Sequence, residues 1–336
     1  MVRTDLWTRE QLIMALNVYF KIPFKEVREN HPLIQKYAPL IGRTPTALKM
    51  KIGNFGRLDP TLKAKDITGL GHGSFAEEPI WQEFWGNLDK LAFESERLFA
   101  ERAGKKIEDT LDTDIQKLPQ GREREVVVRQ RVNQQFFRDA VLTAYLNQCC
   151  ITGITNTPLL EACHISGWAD DENNRTNPKN GLCMTPTFHR AYDKFLMAIT
   201  PDYEIVLSDD MLSGAKDEKT LKYLCDLQGR KIRMPEKFAP GKEFLAQHFE
   251  AGIQAKKIVI TSYLVHGSQA SSKGLRKQIS FPDGLFLLQH SSCQIQSPDI
   301  STANRSHPAP HCLYIWSICP NAAHHLCDNS QVSILQ

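Results

Sequence analysis

Several things are scarce in this chain of 336 residues. It has no apolar run of about eighteen residues or more, so no membrane-spanning helix is expected. The opening residues, Met1-Val2-Arg3-Thr4-Asp5-Leu6-Trp7, lack the apolar stretch of a secretory signal, and a cytoplasmic location is the expectation. Neither sign of charge dominates. With 41 Lys and Arg against 38 Asp and Glu, the formal charge of +3 permits a nucleic-acid partner without demanding one. Paired C-x-x-C motifs are absent. The nine cysteines are odd in number and irregularly spaced, which points to reduced thiols rather than a disulfide framework or a structural zinc at the domain core. What the chain does have is length and a 41% hydrophobic content, enough for a buried core and two or three modules.

The first module is helical. Thr8 is a candidate N-cap for a helix carrying Leu12, Ile13, Leu16, Val18 and Tyr19, and Pro23 ends it. A second short helix is expected around Leu33 to Leu40, limited by Pro39. Gly42 then offers a turn, Thr44 the next cap and Pro45 a first helical position. A third helix from Thr46 to about Asn54 carries Lys49 and Lys51, with Arg43 just ahead of it. Helix, helix, glycine turn and basic helix form a helix-turn-helix-like pattern, with Arg43, Lys49 and Lys51 as candidate nucleic-acid contacts. The alternative is a three-helix scaffold that touches no DNA. Residues 87–147 read as a charged helical linker. Its Arg122, Arg124, Arg129, Arg131 and Arg138 are either a phosphate-tracking surface or a solvated helix face.

The chemistry is concentrated between Cys149 and about Ser208. His164 ends the apolar run Leu159-Leu160-Glu161-Ala162-Cys163-His164-Ile165 on an expected strand. A polar loop leads to Asn180-Gly181, and His189 and Asp193 follow four residues apart on an expected helix. Residues four apart share one helix face, so His189 and Asp193 can grip one divalent cation. An imidazole titrating near neutrality suits His164 to take a proton from water. The Asn180 amide can either hold the loop through backbone carbonyls or orient the His164 ring. Singly, each has a bland reading: a core histidine, a helix-surface pair and an Asn-Gly turn.

The segment resembles the HNH endonucleases of the ββα-metal fold. The matching residues are Cys150-Ile151-Thr152-Gly153, Leu160-Glu161-Ala162-Cys163-His164-Ile165, Asn177-Pro178-Lys179-Asn180-Gly181-Leu182 and His189-Arg190-Ala191-Tyr192-Asp193. The helical module is similar to the N-terminal domain of many bacterial members. It matches through Trp7-Thr8-Arg9-Glu10, Ile41-Gly42-Arg43-Thr44-Pro45, Asn54-Phe55, Leu58-Asp59-Pro60, Gly69-Leu70 and Trp81-Gln82-Glu83-Phe84. The resemblance implies an α+β protein: a helix-turn-helix-like N-terminal module (1–86), the helical linker (87–147) and a ββα-metal nuclease domain (148–257). It further implies His164 as general base, Asn180 as structural asparagine, and His189 and Asp193 as ligands of one divalent ion. Mg²⁺ is the first expectation, with Mn²⁺, Ni²⁺ and Zn²⁺ as alternatives.

One departure stands out. Many members carry Asp or His before the base, where this chain has Cys163. Cys163 is either a soft-metal ligand or a small buried filler. Glu161, two residues earlier on the same strand face, is a candidate supporting group. Arg175 is a candidate contact to the scissile phosphate or a surface-loop residue, while Lys179 and Arg190 flank the site as further backbone contacts.

Downstream, Tyr203 to Ser208 reads as a strand and His248 as a packing residue. Residues 258–336 form an expected irregular tail, where six of the eleven His and four of the nine Cys accumulate. Its His311, Cys312, Cys319, His324, His325 and Cys327 have no regular zinc-finger spacing. The expected function is metal-dependent cleavage of DNA in bacterial restriction or defence. Alternatives are an RNA nuclease or a non-catalytic DNA-binding regulator. A homodimer would suit a two-fold target, and a companion methyltransferase would suit restriction.

Overall fold

A computed structural model describes residues 6–67, 76–111, 121–255 and 258. The Gly69-Leu70 pair and the His/Cys-rich segment from residue 259 onward lie outside the described residues.

Helix α1 (Arg9–Lys21) is the centre of the N-terminal half. Thr8 caps it reciprocally: its hydroxyl accepts from the Gln11 amide at 3.3 Å, and the Gln11 side chain accepts from the Thr8 amide at 3.1 Å. Every residue from Leu12 to Phe20 is buried, so α1 is a helix enclosed on all sides rather than an amphipathic surface element. Around it pack α2 (Pro32–Ile41) and α3 (Pro45–Gly56), followed in the chain by the short α4 (Pro60–Lys63), α5 (Glu77–Trp85) and α6 (Leu88–Arg102). Pro39 does not end α2. Gly42 does, at φ 74°, a left-handed conformation that glycine adopts without steric cost. Thr44 caps α3 as expected.

The region read as a linker is part of the core. Helix α7 (Arg122–Ala144) buries Val128, Val132, Phe136, Phe137, Ala140 and Val141, and it packs on α1, on α6 and on the strands that follow. Its Arg122, Arg129 and Arg131 face solvent, whereas Arg124 pairs with Glu108 at 2.7 Å. A single hydrophobic cluster runs from Leu12 to Leu245 and joins the helical module to the strands.

Strands β1 (Glu161–His164) and β2 (Gly181–Met184) pair antiparallel, with His164 opposite Gly181 and Cys163 opposite Leu182. Helix α8 (Pro186–Asp193) follows β2 directly. Strands β3 (Met197–Ile199) and β4 (Ile205–Leu207) form a second antiparallel pair where Tyr203 to Ser208 was expected extended. Three further helices follow among the described residues: α9 (Asp209–Ser213), α10 (Glu218–Leu227) and α11 (Lys242–Gln254), the last packing on β3.

Buried cations hold these parts together. Lys237, fully buried, donates to the carbonyls of Tyr19 at 2.7 Å and Ile22 at 2.9 Å, satisfying the C-terminal end of α1. Desolvation pushes its pKa down to about 8. Lys51 departs from the groove-facing position expected for it. It is 6% exposed, ion-paired with the fully buried Glu77, and has its ammonium 5.0 Å above the Trp7 ring. Arg43 is likewise drawn inward, donating to Gln11 at 2.9 Å and to the Leu6 carbonyl at 2.6 Å. Lys49 stays partly exposed on α3.

Removing one partner of a buried ion pair leaves the other uncompensated. Lys51→Met is therefore expected to lower the unfolding free energy by about 3 kcal/mol in urea titration, with partial recovery in Lys51→Met/Glu77→Gln. An unchanged midpoint for the single variant would contradict the buried pairing.

Candidate active site

The side-chain period of two in β1 separates its residues onto two faces. Glu161 and Cys163 fall on one, and Ala162 and His164 on the other. This division builds two adjoining half-sites.

On the first face, α8 presents His189 and Asp193 one turn apart toward β1. His189 Nδ1 lies 2.6 Å from Glu161 Oε2, and Nε2 lies 3.6 Å from Asp193 Oδ2. Because a carboxylate only accepts, Nδ1 carries the hydrogen in the contact to Glu161, and Nε2 is the ring nitrogen on the Asp193 side, where a cation would take its lone pair. Donor atoms of Cys163, His189 and Asp193 all lie within 4.8 Å of one another. In a tetrahedral site with metal–ligand bonds of about 2.1 Å, neighbouring ligands sit about 3.4 Å apart, close to the observed nitrogen–oxygen gap. The residues fit a divalent cation, and Glu161 acts as the outer carboxylate that fixes the imidazole. The solvent side is open, with the Asp193 side chain 47% exposed, and the fully buried Cys163 closes the floor.

On the second face, His164 lies flat against Phe137 of α7, with centroids 3.7 Å apart and planes 9° apart. Trp168 meets the ring edge-on at 5.5 Å. His164 Nε2 is 2.9 Å from the Arg175 carbonyl. A carbonyl only accepts, so Nε2 carries the hydrogen and Nδ1 holds the lone pair. Burial pushes the His164 pKa down, opposed by the Arg175 hydrogen bond, while nearby His189 lowers it and Asp193 raises it. The net fall favours the neutral, proton-accepting ring near neutral pH.

The loop between β1 and β2 is pinned by Asn180, which is fully buried. Its Oδ1 accepts from the Ser166 amide at 2.7 Å, and its Nδ2 donates to the carbonyls of Ser166 at 3.1 Å and Asn174 at 3.3 Å. Of its two expected roles, holding the loop is the one observed directly. The ring of His164 is reached through the Arg175 carbonyl of that same loop. The Arg175 guanidinium is taken up within the loop, by the Trp168 carbonyl at 2.7 Å and Glu172 at 3.0 Å. Lys179 Nζ sits 5.7 Å over Trp85, and Arg190 is exposed on α8.

Sequence reasoning missed Phe137 and the Arg175 carbonyl. Phe137 belongs to a helix far upstream, and a backbone oxygen leaves no mark in residue identity. Gly181 carried a signal only as part of an Asn-Gly turn, yet its need for glycine is steric. A Cβ there would lie 2.4 Å from Val141 Cγ2 and 3.0 Å from Phe137 Cζ. Behind α8, His248 of α11 stacks on Tyr192 at 3.7 Å and 6°, and its Nε2 donates to the Tyr192 carbonyl at 3.2 Å. Desolvation pushes the pKa of His248 down to about 4.

Two outcomes follow for stability. Gly181→Ala overpacks the α7–β2 contact and is expected to cost about 1–3 kcal/mol in chemical denaturation. Wild-type stability there would mean that α7 yields easily. His248 is neutral in the folded state, whereas an unfolded histidine protonates near 6.5. Its contribution is therefore intact above pH 6.5 and lost as pH falls toward 4. His248→Phe keeps the stack and should flatten the loss of unfolding free energy between pH 6.5 and 4; an equally steep profile would assign the acid sensitivity elsewhere.

No helix among the described residues is long and apolar enough to cross a membrane. A comparison with curated proteins finds no match. Residues 149–200, which hold β1, the Asn180 loop, β2, α8 and β3, match the family model of the HNH endonucleases.

Proposed function

We propose that the chain is a metal-dependent endonuclease that hydrolyses DNA phosphodiester bonds in bacterial restriction or defence. One observation carries the reading most: the Arg175 carbonyl accepts from His164 Nε2–H, leaving Nδ1 as the acceptor of a ring close enough to His189 and Asp193 to feel their charge. His164 Nδ1 takes a proton from the water whose oxygen attacks phosphorus. The bond from phosphorus to the 3′ oxygen breaks, and solvent protonates the leaving oxygen. His189 and Asp193 would hold a divalent cation, which would supply the positive charge that meets the developing charge on phosphate and leaving oxygen. Phe137 keeps the imidazole in plane, and Asn180 keeps the carbonyl where the imidazole can reach it. Arg175 acts through its backbone in this scheme, since its guanidinium serves the loop.

Lys179 and Arg190, flanking the site, contact the DNA backbone. Lys179 also lines a cleft with Trp85, Asn174 and Asn177. Lys49, with Arg43 behind it, is the remaining contribution of the helical module. The rival reading, a DNA-binding regulator with a degenerate site, draws on Cys163 in place of a carboxylate or imidazole.

Plasmid nicking separates them. Cleavage with Mg²⁺, Mn²⁺, Ni²⁺ or Zn²⁺ should vanish with EDTA and fall at least about 10²-fold in His164→Ala, the scale of a lost general base. DNA affinity should stay near wild type. Binding without cleavage of several DNAs, modified ones included, would make the protein a regulator, and cleavage of RNA alone would redirect the substrate.

A further inference from the structure

We propose that Cys163 is a third protein ligand of the cation and that the site selects zinc or a similarly borderline-soft divalent metal over magnesium. The inference rests on His189 and Asp193 being the cation's ligands. It concerns which ion they hold and what completes the set.

Three observations converge. Cys163 is fully buried, and its sulfur lies with the His189 and Asp193 donors inside one 4.8 Å cluster, the one such group among the described residues. It is on the β1 face shared with Glu161, whose carboxylate turns the His189 lone pair toward that cluster. The thiol donates to the carbonyl of the adjacent His164 at 3.4 Å, a weak contact that an aliphatic filler would forgo at little cost.

The chemistry of the set then decides the metal class. Magnesium seeks six oxygen ligands in a near-octahedral shell and rarely accepts sulfur. A thiolate, an imidazole and one carboxylate suit a four-coordinate zinc-like ion, with the solvent side left open. Charge agrees with geometry. One thiolate and one carboxylate balance a divalent cation once the thiol proton has passed to solvent, and the remaining negative charge, on Glu161, sits on a half-exposed carboxylate rather than in the closed floor under β1.

Cobalt(II) titration of the metal-free, full-length protein under anaerobic conditions reads this directly, without turnover. The expected result at one equivalent is a near-ultraviolet sulfur-to-cobalt charge-transfer band together with visible ligand-field bands, all displaced by Zn²⁺. Cys163→Ser should lose the near-ultraviolet band and bind Zn²⁺ at least about ten-fold more weakly in chelator competition. A variant with Cys312, Cys319 and Cys327 changed to Ser should keep the band, which separates the site from the cysteine-rich C-terminal segment. Circular dichroism establishes that each variant is folded, and Cys163→Ala replaces Cys163→Ser where it is not. Ligand-field bands that depend on His189 but come without a sulfur band would overturn the role of Cys163 and leave the cation site standing. A sulfur band that survives Cys163→Ser, or that disappears with the C-terminal cysteines, would overturn it too. Absence of any His189-dependent cobalt signal would overturn both the inference and the reading beneath it.

Discussion

The stacking of Phe137 on His164 is the contact on which the site's geometry depends. It brings α7, a helix of the N-terminal core, directly under the residue proposed as base. A two-stranded hairpin is marginal alone, because too little apolar surface is buried to offset the ordering of its chain. Here β1 and β2 lie on a 23-residue helix that is itself held by α1 and α6. Phe137 and Val141 leave no space for a side chain at Gly181, the register partner of His164, so strand, ring and helix are positioned by the same few atoms. An aromatic ring lying flat against the imidazole excludes water from one face and limits its rotation. The ring's remaining freedom is removed by the Arg175 carbonyl.

That carbonyl explains why a loop of polar residues can serve as a rigid element. Asn180 makes three side-chain hydrogen bonds to backbone groups on both sides of the loop, and its own carbonyl accepts from the Ile165 amide at 3.0 Å. A buried amide with its partners satisfied is stable, and one left unsatisfied is costly, so the loop has one favourable closure. The arrangement divides labour. Side chains on β1 and α8 form the proposed site, while the loop contributes a backbone carbonyl that orients the His164 ring.

Much of the site was legible because covalent spacing encodes it. A strand's alternation placed Glu161 and Cys163 together, and a helix's turn placed His189 beside Asp193, without any knowledge of tertiary packing. The caps Thr8 and Thr44 were legible for the same local reason. What depended on distant partners was not. Lys51 looked like a groove-facing cation until Glu77, 26 residues away, paired with it, and residues 87–147 looked like a linker because the arginines of α7 are spread over its surface face. Counting charges cannot separate a solvated face from a buried one when each turn of a helix carries both. Phe137 has an apolar period that says only that it is buried, not that the ring it meets is His164.

The fate of the cations bears on how such a chain would hold nucleic acid. The formal excess is only +3, and several positive groups are spent internally: Lys51 against Glu77, Lys21 against Glu96 at 2.6 Å, and Lys237 on the end of α1. A protein whose affinity came from broad phosphate neutralisation would need a large unpaired basic face. The described residues hold scattered candidates instead, Lys49 on α3, Lys179 and Arg190 by the site, and exposed arginines on α7. On the proposed reading, a cation held by the cluster under β1 and α8 would add a concentrated local attraction for a phosphate to that scattered charge. Substrate capture and chemistry would then draw on the same charge, so the ligand set that decides which metal is held would also bear on how the backbone is gripped.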